Sequence, residues 1–160
     1  MLEWGLQEGK LTGSVTDTKL RLPKSKPAIR LPYSDADTAQ ILQAARAEAR
    51  PSIRWVQWML AFSGMRAGDA FQLSVSNLRQ ASSIHYFAIH EDDAGKSVKN
   101  GERRSVSMHS ALIAEGLLEY AKSLPNQSGP LFSDKELDQH GNRGGRAWNV
   151  TGLWVRRTLG

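Results

Sequence analysis

The sequence predicts an α+β fold that is mainly helical and carries a small antiparallel three-stranded sheet. Three observations lead there. Apolar residues recur at helical spacing in segments that begin near Ser34, Pro51, Met65, Ser110 and Trp148. One run, Ile84-His85-Tyr86-Phe87-Ala88-Ile89, has the β-branched and aromatic density of a strand, with shorter candidates close behind it. The 160 residues are 40% hydrophobic and 23% charged, enough for one packed domain and too apolar for a disordered chain.

Residues 1–33 are expected to form a linker or arm, because Gly9, Gly13 and the run Leu22-Pro23-Lys24-Ser25-Lys26-Pro27 interrupt any long element. The folded domain is placed at residues 34–160. Ser34 ahead of Asp35 and Asp37 is a helix N-cap with carboxylates where the helix dipole favours them. Ile41, Leu42, Ala44 and Ala45 carry that helix on to Arg50, and Pro51 closes it. In the next helix Ile53, Val56, Met59, Leu60 and Phe62, with Trp55 and Trp58, are too dense for one apolar face, so it is the expected core helix. Its aromatics are expected to pack rather than to bind.

Ser63-Gly64 interrupts that pattern, and a short helix over 65–73 resumes it, ending near Ser74-Val75-Ser76-Asn77, which puts Arg66 at a helix start. The sheet is expected from Ile84-to-Ile89, Val98 and Arg104-Ser105-Val106-Ser107-Met108, separated by Gly95 and Asn100-Gly101. Ser110 should cap one helix carrying Leu112, Ile113, Leu117, Leu118 and Ala121. Loops follow at 125–130 and 141–145, and 148–159 reads as a last helix.

Lys and Arg total 21 against 16 Asp and Glu, a net charge of +5 that favours an anionic partner such as nucleic acid. The chain has no cysteine, which excludes disulfides and thiolate zinc sites. Nothing resembles a signal peptide or a long apolar membrane run, so a cytoplasmic protein is expected. His85, His90, His109 and His140 lack zinc-site spacing, and His90-Glu91-Asp92-Asp93 beside Gly95 reads as a solvated acidic loop, so no metal is expected. No glycine-rich phosphate loop with a following Lys-Ser or Lys-Thr is present, and no cofactor is expected. His109 is expected to cap the helix that follows it rather than to face a ligand.

Two stretches bear on chemistry. The first is Leu60-Ala61-Phe62-Ser63-Gly64-Met65-Arg66-Ala67-Gly68-Asp69, an apolar helix ending in a small residue and glycine, then an arginine and, three residues on, an acid. A guanidinium offers paired donors to phosphate oxygens and stabilises charge on a phosphoryl-transfer transition state. Read locally, Arg66 and Asp69 are a surface ion pair one helical turn apart. The second is Lys99-Asn100-Gly101-Glu102-Arg103-Arg104-Ser105-Val106-Ser107-Met108-His109, a lysine before a tight turn and a returning strand. Lysines in such places are ordinarily solvated.

Together, in this order and separation, the two stretches resemble the first catalytic box and the β-hairpin of the tyrosine recombinases, the phage-integrase-like family. Ser107 and Met108 stand where that family usually has proline and leucine, and Asp69 stands where it usually has glutamate. Ser110-Ala111-Leu112-Ile113, Gly129-Pro130-Leu131-Phe132 and Trp154-Val155-Arg156-Arg157-Thr158-Leu159-Gly160 extend the resemblance over most of 34–160.

The resemblance implies the front portion of a tyrosine-recombinase catalytic domain acting on duplex DNA. It implies strand breakage and rejoining through a phosphotyrosine, without cofactor or obligatory metal, and self-association on DNA when the protein is full length. Arg66 would grip the scissile phosphate, Asp69 would support the site, and Lys99 would protonate the leaving 5′ hydroxyl, with Lys96 as its rival. Lys96, Arg103 and Arg104 join Arg66 and Lys99 as expected DNA contacts. The family's further His-x-x-Arg box and nucleophilic tyrosine are expected beyond Gly160. His140-Gly141-Asn142-Arg143 has the right spacing, but Gly144-Gly145 disfavours the helix it would need. Tyr33, Tyr86 and Tyr120 all lie upstream of where the nucleophile belongs. A decayed remnant that binds DNA or a partner without catalysis is the competing reading.

Overall fold

Helix α1 starts where the Ser34 hydroxyl accepts a hydrogen bond from the Asp37 amide (3.1 Å) and the Asp37 carboxylate accepts one from the Ser34 amide (3.1 Å). This reciprocal cap satisfies two amides that a helix start otherwise leaves open. The helix spans Asp35–Arg46 and stops short of the expected Arg50. The reason lies downstream: Arg50 is extended (φ −81°, ψ 114°), as a residue before proline must be, so the chain leaves the helix early to reach Pro51. Pro51 then begins helix α2, Pro51–Ser63, at a position where its missing N–H costs nothing.

The structure, a computed structural model, describes residues 31–89, 104–134 and 147–160. Residues 1–30 of the expected arm at 1–33, the Val98 strand, the acidic run at 90–93 and the loop at 141–145 lie outside these residues.

Helix α2 is the core helix, as its composition predicts. Ser52, Ile53, Trp55, Val56, Gln57, Trp58 and Met59 are all buried. It packs against α1, against the short helix α3 (Ala67–Gln72) and against α4 (Ser110–Ala114). Phe71 and Phe132 meet edge to face at 6.4 Å, and Tyr120 stacks on Phe132 at 6.4 Å while tilting against Trp55 at 5.6 Å. Leu112, Leu117 and Leu131 complete the fully buried centre.

The single helix expected from Ser110 is two. Gly116 sits in the left-handed region (φ 98°) and divides α4 from α5, Leu117–Ser123. His109, rather than Ser110, supplies the α4 cap, its Nδ1 accepting from the Ala111 amide (3.1 Å).

The sheet is antiparallel and three-stranded in the order β1-β2-β3: Leu78–Ala81, Ile84–Ile89 and Arg104–Ser107. The sheet class matches expectation, but the strand Leu78–Ala81 was not expected; the expected Val98 strand lies outside the described residues. Strand β1 has no β-branched residue, and its turn, Ser82-Ser83, contains no glycine although Ser82 adopts φ 53°. Leu78, Phe87 and Val106 lie opposite one another across the three strands, with Phe87 fully buried. A buried Asn77 amide donates to the Ala88 carbonyl (2.9 Å) and fastens the sheet to the turn before it.

Helix α6, Ala147–Leu159, packs on α1 and α3. Trp154 Nε1 donates to Glu48 (2.9 Å), and the Gln40 amide donates to the Thr158 carbonyl (2.8 Å). Glu48 also accepts from the Arg50 guanidinium (3.0 Å).

Two predictions come from this packing. Phe132→Ala should cost about 3–5 kcal/mol, because it opens a cavity under two other rings; urea denaturation measures it. The Arg50 hydrogen bonds to the Glu48 side chain, with help from Trp154, hold the Glu48 carboxyl at about 2 against an ordinary 4.5. A carboxyl depressed on folding stabilises the fold above its unfolded value and loses that contribution as pH falls toward the folded one. Glu48→Gln should therefore lower stability at neutral pH and flatten the decline between about pH 4.5 and about pH 2, read from urea midpoints across that range.

Candidate functional site

The end of α2 sets the site. Gly64 takes the left-handed conformation (φ 61°, ψ 14°) and its amide closes on the Leu60 carbonyl (3.3 Å), a helix stop that residues with a Cβ adopt only at a cost. The next two residues then point opposite ways. Met65 is buried (4% exposed), whereas Arg66, extended at φ −72° and ψ 144°, is exposed and precedes the first turn of α3. Arg66 thus stands at a helix start, as expected. Among the described residues no carboxylate forms an ion pair with it.

Asp69 lies one turn further on, at the spacing for a local pair with Arg66, yet it pairs elsewhere. It is buried (8% exposed), and Arg104 Nη2 donates to its Oδ2. Arg104 opens β3 opposite Ile89 and shares a sheet face with Val106. That alternation turns it toward the core side, where Asp69 waits. The Arg104 side chain is 37% exposed, and its Nε is buried with no hydrogen-bond partner among the described residues. The fold therefore joins Asp69 to Arg104 across 35 positions and leaves the Arg66 guanidinium open. Lys96, Lys99 and Arg103 lie outside the described residues.

Other polar groups are committed to structure. Glu115 accepts from Arg46 (2.6 Å) and Arg54 (3.3 Å), and the Arg46 hydrogen bonds, above all, hold its carboxyl below the usual range. With Glu48, Arg54, Trp55 and Tyr120 it lines a cavity of about 420 Å³, which neither Arg66, Asp69 nor Arg104 reaches. Sequence reading gave no sign of this cluster, since its members meet only through the packing of α2 and α5 with the ends of α1 and α4. The Tyr120 hydroxyl donates to the Leu131 carbonyl (2.8 Å), and burial, followed by the nearby Asp134 charge, pushes it up to about 12. Tyr86 lies in β2 between Arg79 and Ser107. Among the described residues no three His, Asp or Glu side chains come together to hold a metal ion, and no helix is long and apolar enough to cross a membrane.

No protein-family model and no curated protein matches the sequence. Solved structures do. The crystal structure of XerA recombinase superposes with a TM-score of 0.53 at 19% identity, over 86% of this chain and 44% of that one. The fold is tyrosine-recombinase-like. Two structures of the XerH site-specific recombinase are more distant. One, bound to palindromic difH substrate in a post-cleavage complex, gives 0.45 at 18% identity over 76% and 36%. The other, a pre-cleavage complex with difH substrate, gives 0.46 at 19% over 78% and 38%. The chain spans less than half the length of each of these recombinases. At such identities the likeness is one of fold, and it agrees with the mixed helical class and small antiparallel sheet expected from sequence. This recombinase-like fold presents an exposed arginine at a helix start and a neighbouring acid tied to the sheet.

Arg66 and Asp69 should respond differently to truncation. Arg66→Ala, at an exposed unpaired position, should change stability by no more than about 0.5 kcal/mol. Asp69→Ala strands the Arg104 guanidinium and should cost roughly 2 kcal/mol. Parallel urea titrations of the two variants check both values.

Proposed function

We propose that this chain is the front portion of a site-specific DNA strand-exchange domain, in which Arg66 takes hold of the scissile phosphate. The observation that carries the reading is the state of Arg66 within a tyrosine-recombinase-like fold: exposed, at a helix start, and unneutralised because Asp69 is occupied by Arg104. An exposed guanidinium binds two phosphate oxygens at once and stabilises the extra charge of a pentavalent transition state. Asp69 supports the site from behind. Lys99, on the segment between β2 and β3, is the proposed general acid toward the leaving 5′ hydroxyl, with Lys96 and Arg103 as further contacts to the backbone of duplex DNA. The net charge of +5 suits such a partner. In the complete recombinase, attack by a tyrosine would conserve the phosphodiester bond energy in a protein–DNA ester, so exchange needs no nucleotide cofactor.

Tyr120 and Tyr86 are built into the fold and are poorly placed for that step, and Tyr33 lies upstream of the domain's first helix. Tyr120 is hydrogen-bonded, and its hydroxyl is held far from ionisation. Tyr86 is a strand residue in mid-sheet. The stretch by itself is therefore a DNA-binding unit that does not cut.

Fluorescence anisotropy with a labelled duplex tests the binding. The wild-type chain should bind with little sequence preference and lose affinity steeply as salt rises, and Arg66→Ala should reduce the slope of log K against log salt by about one. Affinity independent of salt, or no binding at low salt, would refute the reading. Incubation with nicked suicide duplexes should yield no covalent adduct on a denaturing gel. An adduct through Tyr33, Tyr86 or Tyr120 would overturn the assignment of the nucleophile to another segment.

A further inference from the structure

The second half of α3 is seated in the core by Ala70 and Phe71, but the backbone immediately around Arg66 has little of its own to set its direction. Arg66 stands between Gly64 and Gly68, and a Cβ built on either glycine meets nothing within 4 Å, so neither is there to let something pack close. Glycine on both sides leaves the backbone with more freedom than other residues would. Helix α3 has 6 residues, too few to be stable alone, and no side chain caps its start. Upstream, the buried Met65 anchors the turn. Downstream, the first turn is closed by the Ala70 amide on the Arg66 carbonyl (3.0 Å), and the residue between them that reaches out of the helix into a fixed partner is Asp69.

We propose that Asp69 and Arg104 form a strut that sets the direction in which Arg66 leaves the fold, with Arg104 a positioning residue rather than a DNA contact. Asp69 is buried, so its carboxylate has few other orientations. Arg104 is fixed at its root by the β2–β3 ladder, opposite Ile89, which is itself buried. Holding Asp69 against the sheet fixes the rotation of the first turn of α3, and Arg66 is the residue that begins that turn. Asp69 thus acts on phosphate binding through backbone geometry, and the strand that returns from the hairpin is referenced to the same helix. The inference rests on the proposed role of Arg66 in holding a phosphate.

The sign of one substitution separates this from simple electrostatics. Asp69→Asn removes a negative charge from a chain of net charge +5, which by charge alone tightens binding to DNA. The strut requires the opposite: Asp69→Asn weakens duplex affinity by about two- to thirtyfold, the span usual for a residue that acts through a neighbour. Arg104→Lys, which keeps the charge but loses the planar fork, should weaken it in the same direction. In an Arg66→Ala background both effects should shrink to less than about twofold, because nothing remains to be positioned. Affinity equal to or tighter than wild type in Asp69→Asn and Arg104→Lys overturns the proposal, as does a loss that persists undiminished without Arg66.

If Asp69→Asn fails to fold by circular dichroism, Arg104→Lys decides alone. If the wild-type chain binds no DNA at any salt, the functional reading fails, and the strut is judged by amide exchange. Arg104→Lys should then speed exchange at the Ala70 and Leu73 amides of α3, on the far side of the ion pair, and unchanged exchange there overturns it.

Discussion

Helix α2 has almost no exposed face, and the rest of the domain is arranged around that constraint. Trp55, Val56, Trp58 and Met59 are buried on successive sides of the helix. A helix that is apolar all round must be covered all round, so α1, α3 and α4 have little choice but to surround it. The same demand draws in Phe132 and Leu131, which arrive at the centre on the loop after α5. Complete coverage has a cost. Gln57 Nε2 and Trp58 Nε1 are buried without a hydrogen-bond partner among the described residues, and each such donor gives back part of what the apolar burial contributes.

Because α2 is sealed, the chain can reach the surface only at its end, and Gly64 makes that exit abrupt. The left-handed turn drives Met65 inward and Arg66 outward within two residues. Burial of α2 and exposure of Arg66 are thus one event seen from two sides. A helix that frayed gradually would leave the arginine in several directions. The fold instead offers the Arg66 guanidinium next to a turn that the buried Met65 anchors on its upstream side.

Apart from the local Glu48–Arg50 pair, the ion pairs among the described residues hold carboxylates with arginines from other elements. Glu115 in the turn after α4 takes Arg46 of α1 and Arg54 of α2, and Asp69 of α3 takes Arg104 of β3. The carboxylates are the buried members, 9% and 8% exposed, whereas the arginines extend across the surface on their long stems. Such half-buried pairs add modest net stability. Their greater effect is geometric, because each locks the relative placement of two elements. Where an arginine has no such carboxylate, as at Arg66, it stays available to an outside anion.

Much of this was legible in the sequence, for identifiable reasons. Helix α1 announces itself by its Ser34 cap, α2 and α6 by their apolar pattern, Ile84–Ile89 by its β-branched and aromatic residues, and Arg66 by its place just after a Ser-Gly break. These are local signals, carried within a few residues by backbone sterics and side-chain shape. The first strand of the sheet gave no such signal, since Leu78-Arg79-Gln80-Ala81 pairs with β2 only because Leu78 completes a row with Phe87 and Val106. The choice of partner for Asp69 was equally hidden. By spacing, Arg66 is the nearer candidate, and a linear chain has no means of stating that Arg104 will arrive from the sheet with its root already fixed. Sequence alone determined where the main helices lie, which residues are apolar and which could bind a phosphate. Tertiary structure decided which carboxylate meets which guanidinium, and hence that Asp69 is taken by Arg104 and not by Arg66, because ion pairs form between groups that packing brings together, whatever their distance along the chain.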